Sequence, residues 1–214
     1  MSELLNDLIH IDLNFKNGYY IEAGANDGIR QSNSLYLENV LGWKGILIEP
    51  NIKKMKLCKK HRSPLNLFYS CALSSDESIN IINGNFNEDC AGESLMACSS
   101  SLIELDYYDE TFKNEIKEKI KTREQISVPA KTLNSILKEN NIKYVDFLSL
   151  DLEGYELEAL KNFNFNEVDI KYILIETASR LSYQNAVHSF MQSKGYVYYE
   201  KISNNDDLYK KEIL

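Results

Sequence analysis

Apolar and polar positions follow two rhythms along this 214-residue chain. Short apolar runs at Tyr19–Ala23, Lys44–Pro50, Leu65–Leu73, Val145–Asp151 and Lys171–Thr177 have the length and the branched or aromatic content of buried strands. Between them the apolar residues fall at helical spacing. Ser32–Gly42 reads as a helix with an Asn or Ser start and Gly42 as its stop, and helices also fit Asn51–His61, Thr132–Asn140, Tyr155–Phe163 and Arg180–Gly195. Leu4, Leu5, Leu8, Ile11 and Leu13 predict an opening amphipathic helix. A further strand is expected at Ile126–Ala130, and two more at Tyr196–Ile202 and Asp207–Ile213. Strands that alternate with helices imply an α/β fold, a mostly parallel sheet with helices on both faces, here closed by a C-terminal antiparallel hairpin.

The rhythm breaks between residues 74 and 128. That stretch is polar, with a hairpin expected at Ile79–Phe86 and a lysine-rich helix at Glu110–Lys121. It reads as an insertion within a single domain spanning residues 1–214. The alternating charges of Lys113–Arg123 suit a solvated helix face.

Composition narrows the function. The apolar share of 43% and charged share of 26% are those of a globular chain and exclude wholesale disorder. A net charge of −8 disfavours a large nucleic-acid surface, which needs a basic face. Cys58, Cys71, Cys90 and Cys98 form no Cys-X-X-Cys pair and have no histidine at ligand spacing, as in reduced cytoplasmic proteins. No apolar run approaches the roughly 20 residues of a membrane span. A homodimer stays open.

The first strand runs into Gly24-Ala25-Asn26-Asp27-Gly28, where missing Cβ atoms let a ligand approach the backbone. In doubly wound sheets ligands sit at the carboxyl ends of the strands. No Gly-X-Gly occurs here, so the pyrophosphate fingerprint of dinucleotide sites is absent. Glu49 ends the second strand, where a carboxylate can accept both ribose hydroxyls. Glu22 suits a cationic amino group better than a phosphate. Adenosine with a positively charged, amino-acid-like tail describes S-adenosylmethionine.

The stretches Gly24–Gly28, Ser32–Asn51, Val145–Phe163 and Tyr172–Thr177 together resemble the FkbM-type family of S-adenosylmethionine-dependent methyltransferases. Asp151-X-Glu153-Gly154-X-Glu156 is the most specific element. The resemblance covers about half the chain, Tyr19–Ala72 and Val128–Thr177. It implies a Rossmann-like class I methyltransferase fold and methylation of a hydroxyl on a sugar, glycoconjugate precursor or natural product. By position it implies that Glu22, Gly24, Ala25, Asn26 and Gly28 serve the methionine end. Glu49, Pro50 and Asn51 would serve the ribose, and Ser70, Cys71 and Ala72 the adenine. Asp151 would face the cofactor's amino group or the acceptor.

A hydroxyl acceptor must lose its proton to a base or to a metal-bound oxygen. Asp151 and Glu153 leave the fourth strand two residues apart and Glu176 ends the fifth, so neighbouring parallel strands would gather these acids beside the cofactor. Asp151 and Glu176 could hold Mg²⁺, or one raised-pKa carboxylate could act alone. Glu153 has a competing role as a cap for the helix near Tyr155. His10, His61, His188 and Trp43 read as packing or surface residues. Two other functions stay open: methylation of RNA or protein, and a non-catalytic adaptor that retains the fold.

Overall fold

The computed structural model describes residues 12–84, 86, 108–122, 124–177 and 181–212. The expected opening helix falls almost wholly outside the described residues, as does most of the middle of the 74–128 segment.

Among the described residues, seven strands form the main sheet. These are β1 (Tyr19–Ala23), β2 (Lys44–Ile48), β3 (Leu67–Tyr69), β7 (Tyr144–Leu150), β8 (Asp169–Glu176), β9 (Tyr196–Lys201) and β10 (Asp206–Lys211), in spatial order β3-β2-β1-β7-β8-β10-β9. All neighbours are parallel except β10, which runs antiparallel to both β8 and β9. The expected sheet and closing hairpin are both present. A second sheet holds β4 (Ala72–Ser74), β5 (Ile81–Gly84) and β6 (Ile126–Thr132) in the order β4-β6-β5.

The small sheet corrects two sequence expectations. Leu65–Leu73 is not one strand: its first half, β3, pairs with β2, and after Ser70 the chain leaves to pair β4 with β6. Nor does Ile79–Phe86 fold back on itself. Its described strand, β5, pairs antiparallel with Ile126–Pro129 more than 40 residues away, and Ala72, Phe86 and Val128 form a small core there. The Asn83-Gly84 pair signals a tight turn locally, but the partner on offer from β6 wins.

Side-chain alternation assigns the helices to faces. Ile21, Ile46 and Ile48 share a core with α4 (Leu133–Glu139), α5 (Glu156–Lys161) and α6 (Leu181–Ser193). Tyr20, Leu47 and Phe147 look the other way, onto α1 (Leu35–Leu41) and α2 (Ile52–His61). The lysine-rich helix is α3 (Glu110–Thr122). Caps explain several boundaries. Gly42 ends α1 at φ 69°, Asn51 opens α2 by accepting the N–H groups of Lys53 and Lys54, and Thr132 opens α4. Trp43 is core, with its indole N–H on the carbonyl of Phe15. No helix among the described residues is long and apolar enough to cross a membrane.

The tightest crossing inside the sheet lies at Gly45, where a Cβ would stand 2.0 Å from the Tyr20 carbonyl oxygen. Gly45→Ala should therefore cost about 1–3 kcal/mol by overpacking. A lower urea midpoint at unchanged slope is the expected readout; an unchanged midpoint would mean that the strands slide apart freely.

Candidate active site

The strand order reverses between β1 and β7, so a crevice opens at their carboxyl ends. The strand ends are stitched by backbone bonds. Asp151 N–H donates to the Ala23 carbonyl at 3.0 Å, and Gly24 and Ala25 N–H both donate to Ile48 at 3.0 Å. A Cβ on Gly24 would stand 2.0 Å from the Asp151 carbonyl oxygen, and one on Gly28 would meet Arg62 Cγ at 2.8 Å and Cys58 Sγ at 3.0 Å. Both glycines also hold positive φ, 90° and 82°. At both positions protein neighbours fill the space that the absent Cβ atoms leave. Gly24 borders the cleft, while Gly28 lies behind it.

A cleft partly open to solvent lies at these strand ends, the place where such sheets bind small molecules. Its apolar side is built from Ile48, Cys71, Ala72, Leu73, Ile82 and Phe86. Gly24, Asn26, Glu49 and Pro50 form the side at β1 and β2, with Arg30 and Lys54 beside them, and Asp151, Glu153 and Tyr155 close the far end. Glu49 is buried, and each carboxylate oxygen accepts one backbone N–H, from Asn26 at 2.9 Å and from Asn51 at 2.8 Å. Burial raises its pKa, against the pull of those amides and of Lys54. A carboxylate has about four acceptor positions, so two remain for hydroxyl groups. Asn26 reaches this position in a left-handed turn at φ 51°, a conformation asparagine tolerates.

Other expected site residues lie elsewhere. Glu22 shares the sheet face of Tyr20, and its carboxylate accepts Ser32 Oγ, Ser34 Oγ and the Asn33 N–H and pairs with Arg62. Ala25 is core, and Asn51 is spent on the α2 cap. His61 Nδ1 pairs with the Asp27 carbonyl, and His188 packs against Tyr198 and Tyr209.

The acids do converge. Carboxylate oxygens of Asp151, Glu156 and Glu176 lie within 4.8 Å of one another. Glu156 is the member that the sequence reading did not assign. Its Oε1 accepts the N–H groups of Leu152 at 2.7 Å and Gly154 at 3.0 Å, and its Oε2 accepts the Tyr183 hydroxyl at 2.5 Å. Those N–H groups ahead of α5 are therefore held by Glu156, in the place proposed for Glu153. The loop wraps so tightly that Glu153 and Gly154 are both left-handed, at φ 57° and 100°, and Tyr108 bonds the Gly154 carbonyl. For glutamate that conformation is strained.

Burial first, then the neighbouring Asp151, pushes Glu176 up to about 11. Asp151 is raised by burial and by Glu153, while the hydrogen bond with Glu176 works against that rise. Burial and mutual repulsion thus push both members of the pair toward holding a proton between them.

Comparison with known proteins matches residues 22–198 to the Methyltransferase FkbM domain. The chain belongs to the FkbM methyltransferase family. No curated protein matches it. Among solved structures it resembles the methyltransferase FkbM of Methylobacillus flagellatus KT, with a TM-score of 0.52 at 12% identity over 91% of this chain and 43% of that one. It also resembles the METTL16 MTase domain, with a TM-score of 0.50 at 12% identity over 97% of this chain and 64% of that one. At such identity the likeness is one of fold, and this FkbM chain spans less than two thirds of either structure. The family is one of methyltransferases, and its members in general use S-adenosylmethionine as methyl donor. The cleft suits that group: an apolar side for a flat base, Glu49 with two acceptor positions for a ribose, and carboxylates for a cationic tail.

The shared proton makes a stability prediction. A carboxyl raised in the folded state is protonated there when the unfolded chain has lost its proton. Its contribution is thus complete below the ordinary value of about 4.5 and is lost as pH rises toward 11. Glu176→Gln keeps a donor facing Asp151 without a titrating group. Relative to wild type it should gain Tm steadily from pH 5 to pH 9, as followed by circular dichroism. Parallel Tm curves would show that Glu176 ionises normally.

Proposed function

We propose that this chain is an S-adenosylmethionine-dependent O-methyltransferase, folded as one unit over residues 1–214, that methylates a hydroxyl of a sugar, glycoconjugate precursor or natural product. The observation that carries the reading is Asp151 at the cleft end with Glu176 behind it. A half-buried carboxylate with a raised pKa, paired with a second carboxyl, is the equipment of a general base for a weakly acidic hydroxyl. The net charge of −8 favours an acceptor other than a nucleic acid.

The bound cofactor would supply a methyl group on a sulfonium, ready for in-line displacement. Glu49 would bind the ribose hydroxyls, and Cys71 and Ala72 would flank the base. Asp151 would take the acceptor's proton and Glu176 would hold the resulting carboxyl by hydrogen bond. Glu153, aimed by its strained backbone, would lie beside the cationic tail or the acceptor. Alignment of the reacting atoms by these fixed groups would supply much of the rate.

Mg²⁺ would compete for the same two carboxylates. Glu156 has both oxygens engaged by protein donors, so a cation would depend on Asp151 and Glu176 and would displace their proton. The proposed site uses the proton.

Two experiments test this reading. Glu49→Ala leaves ribose hydroxyls unpaired and should weaken S-adenosylhomocysteine binding by about 1–3 kcal/mol in calorimetry; equal affinity would remove Glu49 from the ribose. Methyl transfer to a panel of sugars, nucleotide sugars and phenolic glycosides should be followed against pH. Deprotonated Asp151 is the active form and its pKa is raised, so the rate should climb beyond the ordinary carboxylate range and then level off. Asp151→Asn should lose about 100-fold or more, and EDTA should change nothing. Loss with EDTA and recovery with Mg²⁺ would establish a metal site, and near-wild-type turnover in Asp151→Asn would place the base elsewhere.

A further inference from the structure

Arg62 follows α2, and none of its side chain reaches solvent. Its guanidinium meets six acceptors on three elements. Nε donates to Glu38 at 2.9 Å, and Nη2 donates to Ser34 Oγ at 2.8 Å and to the Tyr20 hydroxyl at 2.9 Å. Nη1 faces Ser32 Oγ at 3.0 Å, the Gly28 carbonyl at 3.2 Å and Glu22 at 3.3 Å. Every N–H of the planar fork therefore has a use, which a lysine could not reproduce.

The arrangement is one-sided. Residues 24–31 border the cleft through Gly24, Asn26, Arg30 and Gln31, while Arg62 grips the same loop from behind, at Gly28 and Ser32. Gly28 in turn donates its N–H to Ala25, the residue before Asn26, whose own N–H sits on Glu49. The chain of contacts thus runs from Arg62 through Gly28 to the carboxylate at the end of β2. Gly28 lacks a Cβ because Arg62 Cγ passes 2.8 Å from where it would be.

We infer that Arg62 is a positioning residue for the cofactor site: without touching the ligand, it sets the loop that fixes Asn26 against Glu49. The inference rests on the cofactor reading above. Glu22 and Glu38 are part of the same device, since one guanidinium faces two carboxylates whose other oxygen contacts are Ser, Tyr, Asn and backbone donors. The sequence spacing Glu22-X-Gly24-X-X-X-Gly28 is accounted for by one backbone crossing at Gly24 and one arginine at Gly28.

Calorimetry with S-adenosylhomocysteine on wild type, Arg62→Lys, Arg62→Met and Ser32→Ala tests it, with Tm measured for each protein with and without that ligand. Well below their own Tm, both Arg62 variants should bind at least about tenfold more weakly, and their ligand-induced rise in Tm should shrink. Arg62→Lys should fail to rescue, because charge without the fork cannot span Glu22, Glu38 and Gly28. Ser32→Ala should show a smaller loss. An arginine that only holds the fold would lower Tm yet leave the affinity of the folded variants within about twofold, and that result overturns the inference. If neither Arg62 variant folds, Ser32→Ala decides: weaker binding supports the role and unchanged binding overturns it. Wild type that does not bind the ligand would sink the cofactor reading and the inference together, whereas tight wild-type binding with unaffected variants would sink the inference alone.

Discussion

The contact on which the site depends is the backbone crossing of Gly24 and Asp151. The Asp151 N–H closes onto Ala23, and the Asp151 carbonyl occupies the space where a side chain on Gly24 would stand. Two central parallel strands end within one residue of each other there, and each hands its chain to a loop that borders the cleft. Any residue larger than glycine would separate them. The carboxylates would then move away from Asn26 and Glu49, and the crevice at the switch of strand order would lose one wall.

Around that crossing the protein accepts considerable local cost. Glu153 sits in a left-handed conformation worth about 1–3 kcal/mol of strain. Asp151, Glu156 and Glu176 crowd carboxyl groups where burial and mutual repulsion oppose their ionisation. The surroundings offset this by locking each group differently. Glu156 is satisfied by two N–H groups and a tyrosine, which leaves it structural, while burial and proximity push Asp151 and Glu176 toward sharing a proton. Three chemically similar side chains thereby acquire different capacities. One is saturated by protein donors, and the other two form a pair whose Asp151 member borders the cleft.

Much of this was legible in the sequence, and the failures have physical reasons. The central strands β1, β2, β7 and β8 announced themselves because a strand buried on both faces is largely apolar. The convergence of Asp151 with Glu176 followed from strand order alone. The break of Leu65–Leu73 into two strands was hidden because no Gly or Pro marks the bend at Ser70–Cys71. The partner of Ile81–Gly84 was hidden because a local turn signal says nothing about a distant strand. Glu156 and Glu153 were indistinguishable by residue type, and only the loop's handedness decides which one turns back to the backbone. Arg62 follows Lys59, Lys60 and His61, and nothing in that charged run marks it as buried.

Glu22 shows how the inference of a ligand class can rest partly on a residue with another task. Its position in β1 places it on the face of Tyr20, toward α1 and α2, while the cleft opens beyond the strand's end. An acid on that face needs a buried cation, and Arg62 supplies it. That pairing in turn ties β1 to the loop that follows. The acidic residue and the glycines of this motif therefore record how the protein holds its own backbone. A ligand benefits from that rigidity, since a pre-set loop has little ordering left to do on binding. The residues that would meet the ligand, Asn26, Glu49, Cys71 and Asp151, come from four separate strand ends, and it is the sheet that brings them together.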